Sequence, residues 1–268
     1  MGSADKPAFE LSKWYADCVT EQGDAIILYS AKLAWPGPTI HYTSVLQYRR
    51  GQPIRSRFSL RQQLPPEVRS DGSIAWKSKA WKAEGEWRTP DRALRETLYD
   101  SPDGKLEWVC LAPRSAARVC VERGEVFEGW GYAERLRLSL PPWRLPIRQL
   151  RWGRFINATD ALVWIDWRGA YERQVVYHNG SAITARSICD CKIVLQDDLG
   201  ELRLDTTAVL RQGALAKTAL AVFPNLNRLF PASLLNVREQ KFLSRAVLRR
   251  TGHPDSDGMA IHEVVDFP

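Results

Sequence analysis

The 268-residue sequence has no block of five or six like charges and no window approaching 18 apolar residues. The first absence excludes a polyelectrolyte tail, and the second excludes a membrane-spanning helix. The opening residues, MGSADKPAFELSKW, lack the apolar core of a secretory signal, so a soluble protein in the cytoplasm is expected. The five cysteines (18, 110, 120, 189 and 191) are odd in number and follow no disulfide framework. They read as thiols in a reducing compartment. Cys189-x-Cys191 is too tight for a zinc knuckle, and the four histidines (41, 178, 253 and 262) do not fall at metal-ligand spacing. A Walker A loop, a G-x-S-x-G elbow and an H-E-x-x-H helix are all missing. Gly129-x-Gly131-x-x-Glu134 imitates the start of a dinucleotide fingerprint, but the third glycine is absent and a strand pattern follows. The expected chemistry uses no metal and no cofactor.

Tryptophan, by contrast, is abundant: 11 residues against 8 Tyr and 8 Phe. Such side chains fill thick β cores or line ligand cavities. The net charge of +7 raises an anionic partner, but the basic residues alternate with apolar ones along the chain, as the outer faces of strands do. A solvated basic surface is the preferred account; a nucleic-acid-binding barrel would need arginines and aromatics gathered on one outer face.

Most of the chain reads as short strands between tight turns. Segments 14–19 and 25–33 flank Gln22-Gly23-Asp24, 41–49 and 54–60 flank Arg50-Gly51, and 94–99 and 105–111 flank Ser101-Pro102-Asp103-Gly104. After residue 155 the same grammar resumes in 160–167 and 171–178, then 188–196 and 201–209, and it closes with 241–250 and 259–267. Helical spacing is confined to 214–223, ended by Pro224, and to 232–239. Two similar runs of hairpins meet near the proline-rich Pro141-Pro142…Pro146. The expected fold is all-β: two lipocalin-like antiparallel β-barrels in tandem with a few short helices, spanning 1–140 and 141–268.

The stretch 129–155 joins them and carries three tryptophans and a dense set of arginines. Read as a strand, it puts Tyr132, Glu134, Leu136, Leu138 and Leu140 on one face. Glu134 is therefore a carboxylate on an apolar face, which needs a partner or a purpose. As an inward acid it would have a raised pKa and could exchange a proton near neutrality, with Tyr132 assisting. As a structural group it would pair with an inward arginine such as Arg154. Arg154 could otherwise orient a polar group of a ligand, unless Glu134 or Glu263 holds it. His41, on a face with Thr43, Val45 and Gln47, is either an interior proton shuttle or a residue at a barrel mouth. His178 is expected to be exposed, His262 to point outward, and Glu263, on a stripe with Ile261, Val265 and Phe267, to be inward and paired. Trp130, Trp152, Trp164 and Tyr171 are candidate walls of a pocket, with core packing as the plain alternative.

Several of these residues compose a pattern: Lys13-Trp14-Tyr15…Asp17, Gly129-x-Gly131-Tyr132-x-Glu134, Leu150-x-Trp152-Gly153-Arg154, Asn179-Gly180 and Ala260-Ile261-His262-Glu263-Val264. It resembles the AttH/carotenoid 1,2-hydratase family. The resemblance implies two tandem lipocalin-like barrels and cofactor-free chemistry on hydrophobic substrates, including hydration of carotenoid double bonds. Two departures point to a different hydrophobic substrate: Lys13 stands where the family has one of two paired tryptophans, and Ala133-Glu134-Arg135 stands in place of an Asp-His pair. The sequence is thus read as a lyase- or isomerase-type enzyme, acting on an aromatic or isoprenoid small molecule by general acid/base catalysis in a barrel cavity. Glu134, Tyr132, Arg154 and His41 are its candidate catalytic groups. A non-catalytic carrier of an apolar ligand is the alternative, and a homodimer is compatible with either.

Overall fold

A computed structural model of the chain describes residues 9–35, 39–62, 64–196, 200–218, 220–221, 225 and 230–268. The first ten strands are β1 (Glu10–Thr20), β2 (Ala25–Ala34), β3 (Ile40–Tyr48), β4 (Arg55–Ser59), β5 (Glu67–Val68), β6 (Ile74–Ser78), β7 (Ala83–Arg88), β8 (Leu94–Ser101), β9 (Gly104–Val121) and β10 (Glu125–Leu138). Nine more follow: β11 (Gln149–Ile156), β12 (Ala161–Arg168), β13 (Arg173–His178), β14 (Ser181–Ile183), β15 (Ala185–Ile188), β16 (Lys192–Leu195), β17 (Glu201–Ala214), β18 (Arg238–Arg249) and β19 (Ser256–Asp266).

They form two antiparallel sheets with one wiring plan. The first is ordered β4-β3-β2-β1-β10-β9-β7-β6-β5, with β8 also on β9, and the second β14-β13-β12-β11-β19-β18-β17-β16-β15. In each, the first strand pairs both with its successor and with the last strand, which curls a meander back on itself as a lipocalin-like barrel does. The fold is all-β in tandem, as the spacing of hairpins predicts. Local chemistry sets the turns. Asn179 and Gly180 both take positive φ (48° and 82°), the two-residue hairpin geometry that Asn-Gly favours.

The helical expectations fare differently. Among the described residues of segment 214–223 there is one 3-10 turn, Leu215–Lys217, and β17 runs through Ala214 in register with Arg238; residues 219 and 222–224 lie outside those described. Segment 232–239 contains only one helical turn, α1 (Ala232–Leu235), and Glu239 belongs to β18. Strand pairing across the sheet overrides the local period. The strand expected over 188–196 is broken at Cys189-Asp190-Cys191, where the Cys189 amide donates to the Lys192 carbonyl at 2.8 Å and turns β15 into β16.

Each sheet has two buried faces. Trp14, Ala16, Cys18, Ile26, Leu28, Val45, Trp76, Trp87 and Phe127 fill the inside of the first, and Phe155, Leu162, Trp164, Ile193, Leu202 and Leu248 the inside of the second. The largest cluster lies between the two sheets, where Tyr15, Ile27, Tyr29, Trp108 and Tyr132 of the first pack on Trp152, Val163, Ile165, Leu243 and Ile261 of the second. Because side chains alternate, residues 11, 13, 15, 17 and 19 of β1 face this seam and the even ones face the barrel.

Candidate active site at the seam between the sheets

Two straight rows of side chains confront each other across the seam. On the first sheet, register aligns Tyr29, Tyr15, Glu134 and Cys110 across β2, β1, β10 and β9. On the second it aligns Trp152, Glu263, Lys241 and Arg211 across β11, β19, β18 and β17. Tyr15 sits edge-on to Tyr29 at 5.2 Å and to Trp152 at 5.1 Å, and Tyr132 edge-on to Trp152 at 5.6 Å.

Glu134 is the centre of the first row and is 8% exposed. Its Oε2 accepts three hydrogen bonds: from Tyr132 Oη at 2.6 Å, Trp108 Nε1 at 2.5 Å and, across the seam, Trp152 Nε1 at 3.2 Å. Burial nevertheless raises its pKa above the usual carboxylate value; the donors and Lys13 pull the other way without winning. A proton taken up by Glu134 belongs on Oε1, since Oε2 already accepts three donors. Burial likewise pushes the Tyr132 hydroxyl well up, so it stays a donor.

Arg154, the partner that strand reading suggests for Glu134 or Glu263, is held instead by Asp17. Its Nη2 donates to Asp17 Oδ1 at 2.6 Å and its Nε to Oδ2 at 3.2 Å, while Nη1 takes the Met259 carbonyl. Tyr15 Oη adds a 2.7 Å bond to Asp17 Oδ2. Burial opposes the Arg154 charge, but Asp17 outweighs it. Glu263 is inward and paired, as its stripe suggests: Lys241 Nζ bonds its Oε2. Burial opposes both charges, yet each holds the other ionised, so the Lys241 pKa rises and that of Glu263 falls. Lys241 Nζ also lies 5.2 to 6.0 Å from the ring centroids of Trp152, Tyr15 and Tyr29.

Beside these rows is a partly open cavity of about 310 Å³. Leu11, Leu33, Ile40, Trp143, Leu150 and Phe230 contribute to its apolar wall. Phe230 and, from α1, Leu234 line one side of it, and Phe230 and Leu235 pack on Leu33, Ile40 and Trp143. Lys13, Tyr29, Arg211, Glu239 and Glu263 bring polar groups into it. A larger depression, about 950 Å³, lies at the opposite end of the seam beside Trp130. It is a more open groove walled partly by Lys192, Arg203, Arg245 and Asp257, so the smaller cavity is the better ligand site.

The structure therefore brings Glu134, Tyr132 and Trp152 together and places Arg154 two residues along the same strand. It separates the other candidates. His41 belongs to the face of β3 that carries Val45 into the first barrel, away from the seam. Trp130 packs at the open-groove end, and Tyr171 packs on Tyr99 at 5.2 Å and on Trp167. Trp164 lies inside the second barrel, where its indole covers Gly153 so closely that a Cβ there would strike it. His262 faces inward, contrary to the strand reading: it is 4% exposed, shares a 2.8 Å bond with Ser244 Oγ and stacks on Phe242. Burial lowers its pKa to about 4. His178 is partly buried against Asp160 at 2.8 Å. Among the described residues no group of three or more His, Cys, Asp or Glu could hold a metal ion.

Lys13, Asp17, Tyr29, Trp108, Arg211, Glu239 and Lys241 belong to the site without having been marked as candidates in the sequence. The signal was available for the first two, which alternate with Leu11, Tyr15 and Val19 on one face of a strand, as Glu134 does on its own.

No family model matches the chain, and no curated protein matches it in sequence. Solved structures do match in shape. Kievitone hydratase from Nectria haematococca superposes with a TM-score of 0.61 at 9% identity, over 95% of this chain and 88% of that one. CghA with Sch210972 gives 0.60 at 10%, over 96% and 88%. A candidate AttH (NE1406) from Nitrosomonas europaea gives 0.58 at 10%, over 98% and 94%. At these identities the likeness is one of fold, and the chain has the tandem lipocalin-like fold of the AttH/carotenoid hydratase-like proteins.

Proposed function

We propose that the protein is a cofactor-independent enzyme of lyase or isomerase type, acting on an aromatic or isoprenoid small molecule at the seam cavity. One observation carries this reading: Glu134 is a buried carboxyl with a raised pKa and all three of its donors on a single oxygen. Oε1 delivers its proton to a double bond of the substrate. The carboxylate left behind is met by donors already aimed at Oε2, which need no reorganisation as charge develops. It then recovers a proton from the cationic substrate in an isomerisation, or from water added to it in a hydration. Tyr132 and Trp108 orient the carboxyl, Arg154 clamps the two sheets through Asp17, and the apolar wall excludes water. The presence of a hydratase among proteins of the same fold supports the reaction class.

The carrier reading is favoured by a different observation. Glu134 does not line the cavity, whereas Lys13, its diagonal neighbour on β1, does. The two readings separate in one experiment. Wild type and Glu134→Gln are titrated with a panel of apolar aromatic and isoprenoid compounds, following Trp fluorescence and product formation together. The enzyme reading expects conversion by the wild type and binding without conversion by the variant. Equal binding with no conversion by either overturns it in favour of a carrier.

A further inference from the structure

The buried charges of the seam pair off, leaving one remainder. Asp17 takes Arg154, and Glu263 takes Lys241. Glu239 Oε1 lies 3.6 Å from Arg211 Nη1, an ion pair too long for a hydrogen bond. Lys13 has no carboxylate within ion-pair reach among the described residues; its Nζ lies 5.0 Å from the Tyr29 ring centroid, and the residue lines the cavity. Glu134, the carboxyl diagonal to it on the adjacent strand, already accepts three hydrogen bonds, and burial raises its pKa.

A second donor accompanies it. Arg211 also lines the cavity, with its guanidinium carbon 5.4 Å from the same Tyr29 centroid, and its buried Nη2 has no hydrogen-bond partner among the described residues. An ammonium and a spare guanidinium N–H, both beside one tyrosine in an apolar cavity, are costly to leave unmatched. Of the four charged side chains that line the cavity, Glu263 is taken by Lys241 and Glu239 meets Arg211 only at ion-pair distance, so Lys13 and one guanidinium N–H are left for a ligand among the described residues.

We infer that the cavity takes an apolar molecule bearing a single carboxylate, whose oxygens are received by Lys13 Nζ and Arg211 Nη2. The inference rests on the reading above only in taking the cavity as the ligand site. A guanidinium and an ammonium suit a carboxylate because both donate charge-assisted hydrogen bonds that a neutral hydroxyl cannot match. The apolar wall of Leu11, Leu33, Ile40 and Trp143 receives the hydrocarbon part. A carboxylate held at Lys13 also brings the carbons next to it towards Glu134, two rungs away on the adjacent strand.

The test compares acids with alcohols of the same shape: geranic acid against geraniol, and 2-naphthoic acid against 2-naphthalenemethanol, by calorimetry at pH 7. The two pairs distinguish an isoprenoid from an aromatic body. At least one acid is expected to bind ten times or more tightly than its alcohol. Lys13→Met should reduce that preference below threefold while leaving alcohol binding within twofold, and Arg211→Met should reduce it in part. In the wild type the preference should also fall as pH rises through the Lys13 titration. Burial, with Lys241 acting the same way, sets that titration below the ordinary lysine range, despite Glu263, Glu134 and Glu239. An alcohol that binds as well as its acid to the wild type overturns the inference and leaves the cavity reading standing. Failure of all four compounds to bind overturns both.

Discussion

Asp17 and Arg154, 137 residues apart, meet across the seam through two hydrogen bonds, with both side chains fully buried. Breaking such a pair from one side leaves an uncompensated charge, at a cost of about 3–5 kcal/mol. Asp17→Asn should show that loss in denaturant unfolding. The double variant Asp17→Leu with Arg154→Met should recover most of it, because neither charge is then stranded. A double variant as unstable as the two single losses added together would contradict this account of the seam.

Glu134 makes stability depend on pH in a distinctive direction. Its folded pKa is raised above the unfolded 4.5, so between those two values the folded state holds a proton that the unfolded state has released. The stabilisation is present below 4.5 and is lost as pH rises through the folded pKa. Relative to Glu134→Gln, the wild type should therefore lose stability as pH increases from that point. Parallel stability curves for the two proteins would show that Glu134 is ionised in the folded state.

His262 acts with the opposite sign. Burial among Ser244, Phe242 and Trp164 holds its pKa near about 4 against an unfolded 6.5. Its contribution is complete above 6.5 and falls as pH drops, by about 3 kcal/mol at pH 4. His262→Gln should flatten this acid limb in urea melts recorded from pH 7 to 4. An unchanged limb would mean that other groups carry the acid sensitivity.

Ala31 on β2 lines the cavity and is small enough to be filled. Ala31→Phe should abolish ligand binding at a stability cost below about 3 kcal/mol, the usual range for overpacking. Retained binding, measured by Trp fluorescence, would move the ligand site to the open groove beside Trp130.

The legibility of this site in sequence depended on distance along the chain. Glu134 and Tyr132 are two residues apart on one strand, so alternation alone placed them side by side. Glu263 stood out because it interrupts an apolar stripe, and its pairing followed from the cost of burying a charge. The partner of Arg154 was beyond such reasoning, since Asp17, Glu134 and Glu263 all satisfy the same local rule. Alternation points His262 outward because the opposite face of β19 is apolar, yet both faces of that strand are buried.

Hairpin spacing, turn residues and strand alternation determine by themselves that this chain forms two antiparallel β units, and they mark the carboxylates on apolar faces. A strand period of two divides side chains between two faces but does not say what packs on either. Only the docking of one sheet on the other decided that Glu134 faces a seam rather than the inside of a barrel. The same docking gave Asp17 to Arg154 and Glu263 to Lys241, and left Lys13 with no carboxylate in ion-pair reach among the described residues. The pairing of buried charges is set by distance and dielectric in three dimensions, and neither quantity is written in the order of residues along the chain.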